Sequence, residues 1–226
     1  MRYSTVLFDL DHTLLDSDAS ELAAFDHTMA LCGVGDGRAH LATYLTLNKA
    51  LWARVERGEL SPDEVRVQRF TEFVGVTGVD ADPAAMAEWF VDGLADNGEL
   101  YDGARAVLDT LAGRCRMALV TNGLSTVQRR RVERLGIAPY FEAVVISAEV
   151  GCSKPSPAIF ELCFGQLGGI ERERAVMIGD SLSADVAGGL AAGIDTCWYN
   201  RHGVDHDHDA TYEVRSLYDV AEVLAG

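Results

Sequence analysis

The stretch Val6-Leu7-Phe8-Asp9-Leu10-Asp11-His12-Thr13-Leu14-Leu15-Asp16 decides the fold. A short apolar run of strand character ends in two aspartates one residue apart. Side chains alternate along a strand, so Asp9 and Asp11 are expected to point the same way at its end. Two carboxylates that close repel unless a cation lies between them or one takes a proton. The pattern suits a Mg²⁺ site with one carboxylate free to act as nucleophile. It suits equally a strand that ends in a polar turn, and the rest of the chain must separate the two.

Working outward, Met117–Val120 ends in Thr121-Asn122-Gly123, and Ser153-Lys154-Pro155 follows. Ala175–Ile178 then runs into Gly179-Asp180-Ser181, with Asp185 behind it. Thr5–Phe8, Ala143–Ile146 and Thr196–Tyr199 also read as strands, and a last strand and helix are expected near Val214 and Val223. Amphipathic stretches lie between most of them. This alternation predicts an α/β fold whose parallel sheet is covered on both faces, with every motif just past a strand end, where such sheets place ligands.

From Ser17 to about Asn97 the reading is helical throughout. Ser61-Pro62-Asp63-Glu64 is a capping box with Pro at the first helical position, and Asp82-Pro83 starts another helix the same way. Leu45, Ala50, Leu51, Trp52 and Val55 are expected to form one apolar helical face. So long an insertion exceeds a crossover. It predicts a helical cap over residues 17–97, with a core built from residues 1–16 and 98–226.

A formal net charge of -16 repels nucleic-acid backbones and anionic membrane surfaces, so neither is expected as a partner. No uninterrupted apolar stretch is long enough to span a bilayer, and the step from Arg2 straight into the first strand excludes a signal peptide's apolar region. The 5 cysteines lack C-x-x-C spacing and read as reduced thiols of a cytoplasmic protein. Lysine occurs only at Lys49 and Lys154. In a chain that otherwise uses Arg, Lys154 marks a place where a compact point charge fits and a planar fork does not.

These motifs, in this order, resemble the haloacid dehalogenase superfamily, and the resemblance runs the length of the chain. It implies a Rossmann-like three-layer α/β/α core with an inserted helical cap. It implies Asp9 as nucleophile, forming an aspartyl-phosphate, and Asp11 as the acid and base that serves the leaving oxygen and then water. Lys154 is implied to neutralise the transferring group. Thr121 and the N–H groups of Asn122 and Gly123 would hold the phosphoryl oxygens. The implied cofactor is Mg²⁺, held by Asp9, Asp180 and the backbone carbonyl of Asp11, with Asp185 supporting it from behind. Superfamily members that cleave carbon–halogen bonds lack the second aspartate, so Asp11 favours phosphoryl transfer.

Ser125 through Gln128 reads as a capping box opening the next helix, so a helix N-terminus is expected near the phosphoryl oxygens. Two other features are expected to be bland. Arg129, Arg130, Arg131 and Arg134 read as a solvated helix face. His202, His206 and His208, with Asp205, Asp207 and Asp209, read as a solvated loop rather than a metal cluster.

Asn48-Lys49-Ala50-Leu51-Trp52 with Glu56-Arg57-Gly58 is similar to the bacterial pyrimidine 5′-nucleotidases of this superfamily. So are Thr121-Asn122-Gly123-Leu124 with Gln128, and Val145-Ile146-Ser147-Ala148-Glu149-Val150-Gly151. The acylneuraminate-9-phosphatases share much of the core pattern. A phosphosugar mutase and, less favoured, a 2-haloacid dehalogenase are the other readings. The expected partner is a small phosphomonoester, with the chain a monomer or homodimer. Trp52, Tyr44 and Asn48 are the candidates for contacting a base, with packing the expected role of Trp52.

Overall fold

The computed structural model describes residues 2–225. Six parallel strands form one sheet: β1 Thr5–Phe8, β2 Arg116–Thr121, β3 Ala143–Ile146, β4 Ala175–Gly179, β5 Asp195–Tyr199 and β6 Tyr212–Val214. Their order is β3-β2-β1-β4-β5-β6, so the chain reverses direction across the sheet between β1 and β4. That reversal opens a crevice at the strand ends, where Asp9 follows β1 and Asp180 follows β4.

Among the described residues the α-helices are α1 Ser17–Leu31, α2 Leu41–Glu56, α3 Pro62–Thr77, α4 Pro83–Asp96, α5 Ala104–Leu111, α6 Ser125–Arg134, α7 Ser147–Val150, α8 Pro157–Gln166, α9 Ala187–Ala191 and α10 Leu217–Ala225. Strand side chains divide between the two sheet faces as the pleat requires. Val6 and Phe8 of β1 pack with Val107, Leu108, Val220 and Leu224 of α5 and α10. Leu7, between them, joins Phe160, Cys163 and Phe164 of α8 on the other face. Burial of both faces explains why the strands read as continuous apolar runs.

Helices α1 to α4 lie between β1 and β2 and own a separate core of Phe25, Met29, Tyr44, Phe70, Phe73, Met86 and Phe90. The Ser61 capping box and the Asp82 N-cap form as expected. The expected apolar face of α2 forms in part, with Leu51, Trp52 and Val55 packed on Val65. Its buried positions are Tyr44, Asn48, Leu51 and Val55, whereas Leu45 is 42% exposed and Ala50 is also exposed. Asn48 and Tyr44 extend the buried face in place of Leu45 and Ala50, with Asn48 meeting Glu21 and Arg69. The chain enters and leaves the insertion through paired segments: Asp16 N–H donates to Glu99 O at 2.9 Å and Tyr101 N–H to Leu14 O at 2.8 Å. Among the described residues no helix is long and apolar enough to cross a membrane.

Candidate active site

A cavity of about 670 Å³ opens between the strand ends and the helical insertion. Asp9, Asp11, Asn122, Gly123, Lys154 and Asp180 line its core side. Both early aspartates face it, though not through strand alternation as expected. β1 stops at Phe8, and His12 takes a left-handed φ of 60° that folds the chain back, so that its N–H reaches Leu15 O.

Asp9 is 6% exposed and Lys154 2% exposed, and Lys154 Nζ lies 2.6 Å from Asp9 Oδ1. The same ammonium lies 2.6 Å from Asp185 Oδ1, while Ser181 N–H donates to Asp185 Oδ2. Asp185 thus lies in a helical first turn and bonds the N–H of the capping Ser181 while it pairs with Lys154. It is a buried counter-ion that aims Lys154. Gly179 makes room for it, since a Cβ there would lie 2.1 Å from Asp185 Oδ2.

Asp9, Asp180 and Asp185 each offer a carboxylate oxygen, all within 4.8 Å of one another. Two of the three carboxylates, Asp9 and Asp185, pair with the Lys154 ammonium. Burial opposes the charge of Lys154, but Asp185 and Asp9 outweigh it and hold the ammonium well into its charged range. The acids keep an excess of negative charge. Burial raises Asp9 well above the usual carboxylate range despite Lys154. Burial, then Asp185, pushes Asp180 up to about 7. A hard divalent cation with oxygen ligands fits this donor set and its uncompensated charge. The Asp11 carboxylate lies outside the triad, which leaves its backbone carbonyl as that residue's only expected ligand atom.

Asp11 instead belongs to a second cluster. Ser17 Oγ donates to it at 2.6 Å, Gln128 Nε2 at 2.5 Å and Arg131 Nη1 at 2.7 Å. Burial works to raise its pKa, but Arg131, Ser17, His12 and Gln128 outweigh burial and hold it below the usual range. Arg131 is 3% exposed, which corrects the reading of a solvated arginine face. It also donates to Ser20 Oγ of α1 at 2.7 Å and Leu94 O of α4 at 2.9 Å. Arg130 pairs with Asp92 and Asp96, and Arg134 reaches the carbonyls of Ala95, Asn97 and Gly98. Arg129, paired with Glu149, and Arg130 and Arg134 are exposed, so the solvated face holds for these three and fails for Arg131 alone.

The expected capping box at Ser125 is absent, because Gln128 turns into the site and Ser125 Oγ donates to Glu149. Gln128 Nε2 also donates to Thr121 Oγ1 at 2.8 Å. Thr121 is fully buried behind the cavity wall. Asn122 forms a reciprocal pair with the backbone of Lys154, at 2.9 and 2.8 Å. The Gly123 N–H is engaged by Ser147 Oγ at 3.0 Å, so it is not the free phosphate donor expected of it. Gly123 serves instead by its missing side chain, since a Cβ would lie 2.9 Å from Gln128 Nε2.

On the insertion side the cavity is lined by Glu21, Leu45, Asn48, Lys49, Trp52 and Arg69. Tyr44, a candidate for base contact, is fully buried in the helical core and does not line it. Of the His/Asp loop, His202, Asp205, His206, Asp207 and Asp209 are exposed, and among the described residues no three of these side chains gather. His208 packs against Trp198 at 4.8 Å, whose indole N–H donates to Asp180 O.

The sequence reading missed Gln128, Arg131, Ser17, Glu21 and Arg69 as cavity residues. A signal existed for the first two. They are three apart on a helix, on the side that carries the apolar Leu124 and Val127.

A family model for haloacid dehalogenase-like hydrolases matches residues 3–193. The pyrimidine 5′-nucleotidase PynA of Streptococcus pneumoniae is 39% identical, over 99% of this chain and 96% of its own length. The pyrimidine 5′-nucleotidase YjjG of Escherichia coli is 30% identical over 99% of each chain. The crystal structure of the putative HAD-hydrolase YfnB of Bacillus subtilis, bound to magnesium, matches with a TM-score of 0.91 at 33% identity over 99% of each chain. Relatives that align along nearly the whole chain, together with the acidic crevice at the strand ends, establish that the protein belongs to the haloacid dehalogenase-like hydrolases and is a phosphoric monoester hydrolase.

Proposed function

We propose that the protein is a Mg²⁺-dependent 5′-nucleotidase acting on pyrimidine nucleoside monophosphates through an aspartyl-phosphate intermediate, with residues 17–97 serving as its cap. The observation that carries this reading is the buried Asp9 carboxylate. It is paired with Lys154, belongs to an acidic triad and faces a cavity walled by the helical insertion. The nucleotidase names of the two relatives support the substrate class.

Phosphate monoesters hydrolyse extremely slowly, and dividing the displacement into two steps lowers each barrier. Asp9 attacks phosphorus, the bond to the ester oxygen breaks, and that oxygen takes a proton from Asp11. Water then attacks the phosphoaspartate and gives a proton to Asp11, which releases orthophosphate and restores Asp9. Arg131 keeps Asp11 ionised in the resting site. The negative charge of an entering phosphoryl group raises its proton affinity, so that Asp11 takes a proton from solvent before it serves the ester oxygen and returns the one gained from water to solvent as orthophosphate leaves. Lys154, aimed by Asp185, neutralises the phosphoryl oxygens. The Asn122 N–H, on the cavity wall, is offered to the phosphoryl oxygens, and the buried Thr121 hydroxyl holds Gln128 behind it. Asp9, Asp180 and the Asp11 carbonyl would hold Mg²⁺, which when bound neutralises charge on the transferring group.

The test is phosphate release from UMP, dUMP, dTMP, purine monophosphates, acylneuraminate 9-phosphate and sugar phosphates, with Mg²⁺ and with EDTA. Mg²⁺-dependent turnover that favours the pyrimidine nucleotides is expected. Turnover confined to a sugar phosphate would overturn the substrate assignment, and turnover unaffected by EDTA would overturn the metal requirement.

A further inference from the structure

The helical insertion contains a buried polar group that the reaction steps leave unused. Arg69 of α3 is 2% exposed, yet it lines the cavity that Asp9 faces. Its guanidinium lies over the Phe90 ring at 4.9 Å. Nη1 donates to Tyr44 Oη at 3.4 Å and to Asn48 Oδ1 at 3.3 Å. Nε is buried without a hydrogen-bond partner. Glu21 of α1 lines the same cavity and is linked to Arg69 through those two residues. Tyr44 Oη donates to Glu21 Oε1 at 2.9 Å and Asn48 Nδ2 donates to it at 2.5 Å. Both bonds fall on Oε1, and among the described residues Oε2 accepts none.

A guanidinium has five N–H donors and no acceptor. A buried network that served packing alone would satisfy its donors, because an unmade bond to a buried polar group costs more than a made one returns. Arg69 and Glu21 line one cavity, in the insertion wall that faces the strand ends, and among the described residues only Nη1 of the guanidinium and Oε1 of the carboxylate are hydrogen-bonded. Held together through Tyr44 and Asn48, they give the cavity both donor and acceptor capacity.

We propose that Arg69 and Glu21 recognise the leaving group, Arg69 donating to a ring carbonyl oxygen and the Glu21 carboxylate accepting the adjacent ring N–H. This inference rests on the nucleotidase reading. It assigns the residues that read the base. A uracil or thymine ring offers a carbonyl next to N–H. A cytosine ring offers a bare ring nitrogen there, and its lone pair would face the Glu21 carboxylate.

The experiment measures kcat and KM of the full-length enzyme in Mg²⁺ buffer on UMP, CMP and phenyl phosphate, whose leaving group has neither carbonyl nor N–H. Arg69→Met keeps the length of the side chain over Phe90 and removes every donor. It should lower kcat/KM on UMP about 10- to 100-fold more than on phenyl phosphate, chiefly through KM. Glu21→Gln, which keeps the shape, should narrow the preference for UMP over CMP by about tenfold. Equal losses on UMP and phenyl phosphate in Arg69→Met, or a UMP-to-CMP ratio unchanged in Glu21→Gln, would overturn the assignment. Phenyl phosphate turnover by the native enzyme with none on UMP would overturn the nucleotidase reading itself, an outcome separate from failure of the two residues.

Discussion

Arg131 Nη1 lies 2.7 Å from Asp11 Oδ1 while the same guanidinium is bonded to Ser20 Oγ on α1 and Leu94 O on α4. One buried side chain thus joins the proposed acid to two helices of the insertion. Arg131→Met should lower kcat/KM by about 10- to 100-fold. The pH dependence of stability gives an independent check. Arg131, Ser17, His12 and Gln128 overcome burial to hold Asp11 below its ordinary pKa in the folded state. The stability this contributes is present above the unfolded-state value and is lost as pH falls through the folded value. Urea titrations from pH 7 to pH 3 should show a shallower acid loss in Arg131→Met than in the native protein. Identical slopes would mean that the pair does not hold Asp11 down.

Asp9→Asn removes one of three crowded carboxylates, and one of the two that pair with the Lys154 ammonium. Phosphate release should fall by at least about a thousandfold. In metal-free buffer the melting temperature should hold or rise, because repulsion among the buried acids is relieved. Wild-type turnover in this variant would remove Asp9 as nucleophile.

Gly179→Ala would place a methyl group 2.1 Å from Asp185 Oδ2. Asp185 must then leave Lys154, so the ammonium loses the partner that aims it. We expect a loss of about 1–3 kcal/mol in denaturant unfolding, together with a fall in kcat. Native activity and stability would show that Asp185 has no positioning role.

Adding Mg²⁺ to metal-free protein should raise the melting temperature. A ligand at 100 times its dissociation constant stabilises by about 2.7 kcal/mol. The rise should be absent or much reduced in Asp180→Asn, which weakens the acidic triad. An equal rise in both proteins, followed by differential scanning fluorimetry, would place the ion elsewhere.

Burial pushes the Cys163 and Cys197 thiols up to about 12. The thiolate, the reactive form, is then scarce at pH 8. These two should resist a disulfide reagent until the protein unfolds, while the half-exposed Cys32 and Cys152 react first. Complete modification of all 5 thiols at pH 8, without loss of the circular dichroism signal, would contradict that burial.

The amino-acid sequence alone determined the parallel sheet, the helical insertion after β1 and the motifs at the strand ends. These rest on local physics: apolar β-branched runs, capping residues such as Ser61 and Asp82, and acids placed where a strand stops. Tertiary structure alone decided which polar side chains turn inward. Arg131 sits on a helix whose sequence suits solvent, and contact with α4 and α1 buries it, while its neighbours Arg129, Arg130 and Arg134 stay exposed. Gln128 suited a helix cap until the turn at His12 brought Asp11 within its reach. Glu21 and Arg69 are 48 positions apart in the chain and meet only because four helices pack around Tyr44 and Asn48. A polar residue's role depends on the partners that folding brings from distant segments, and no periodicity records them.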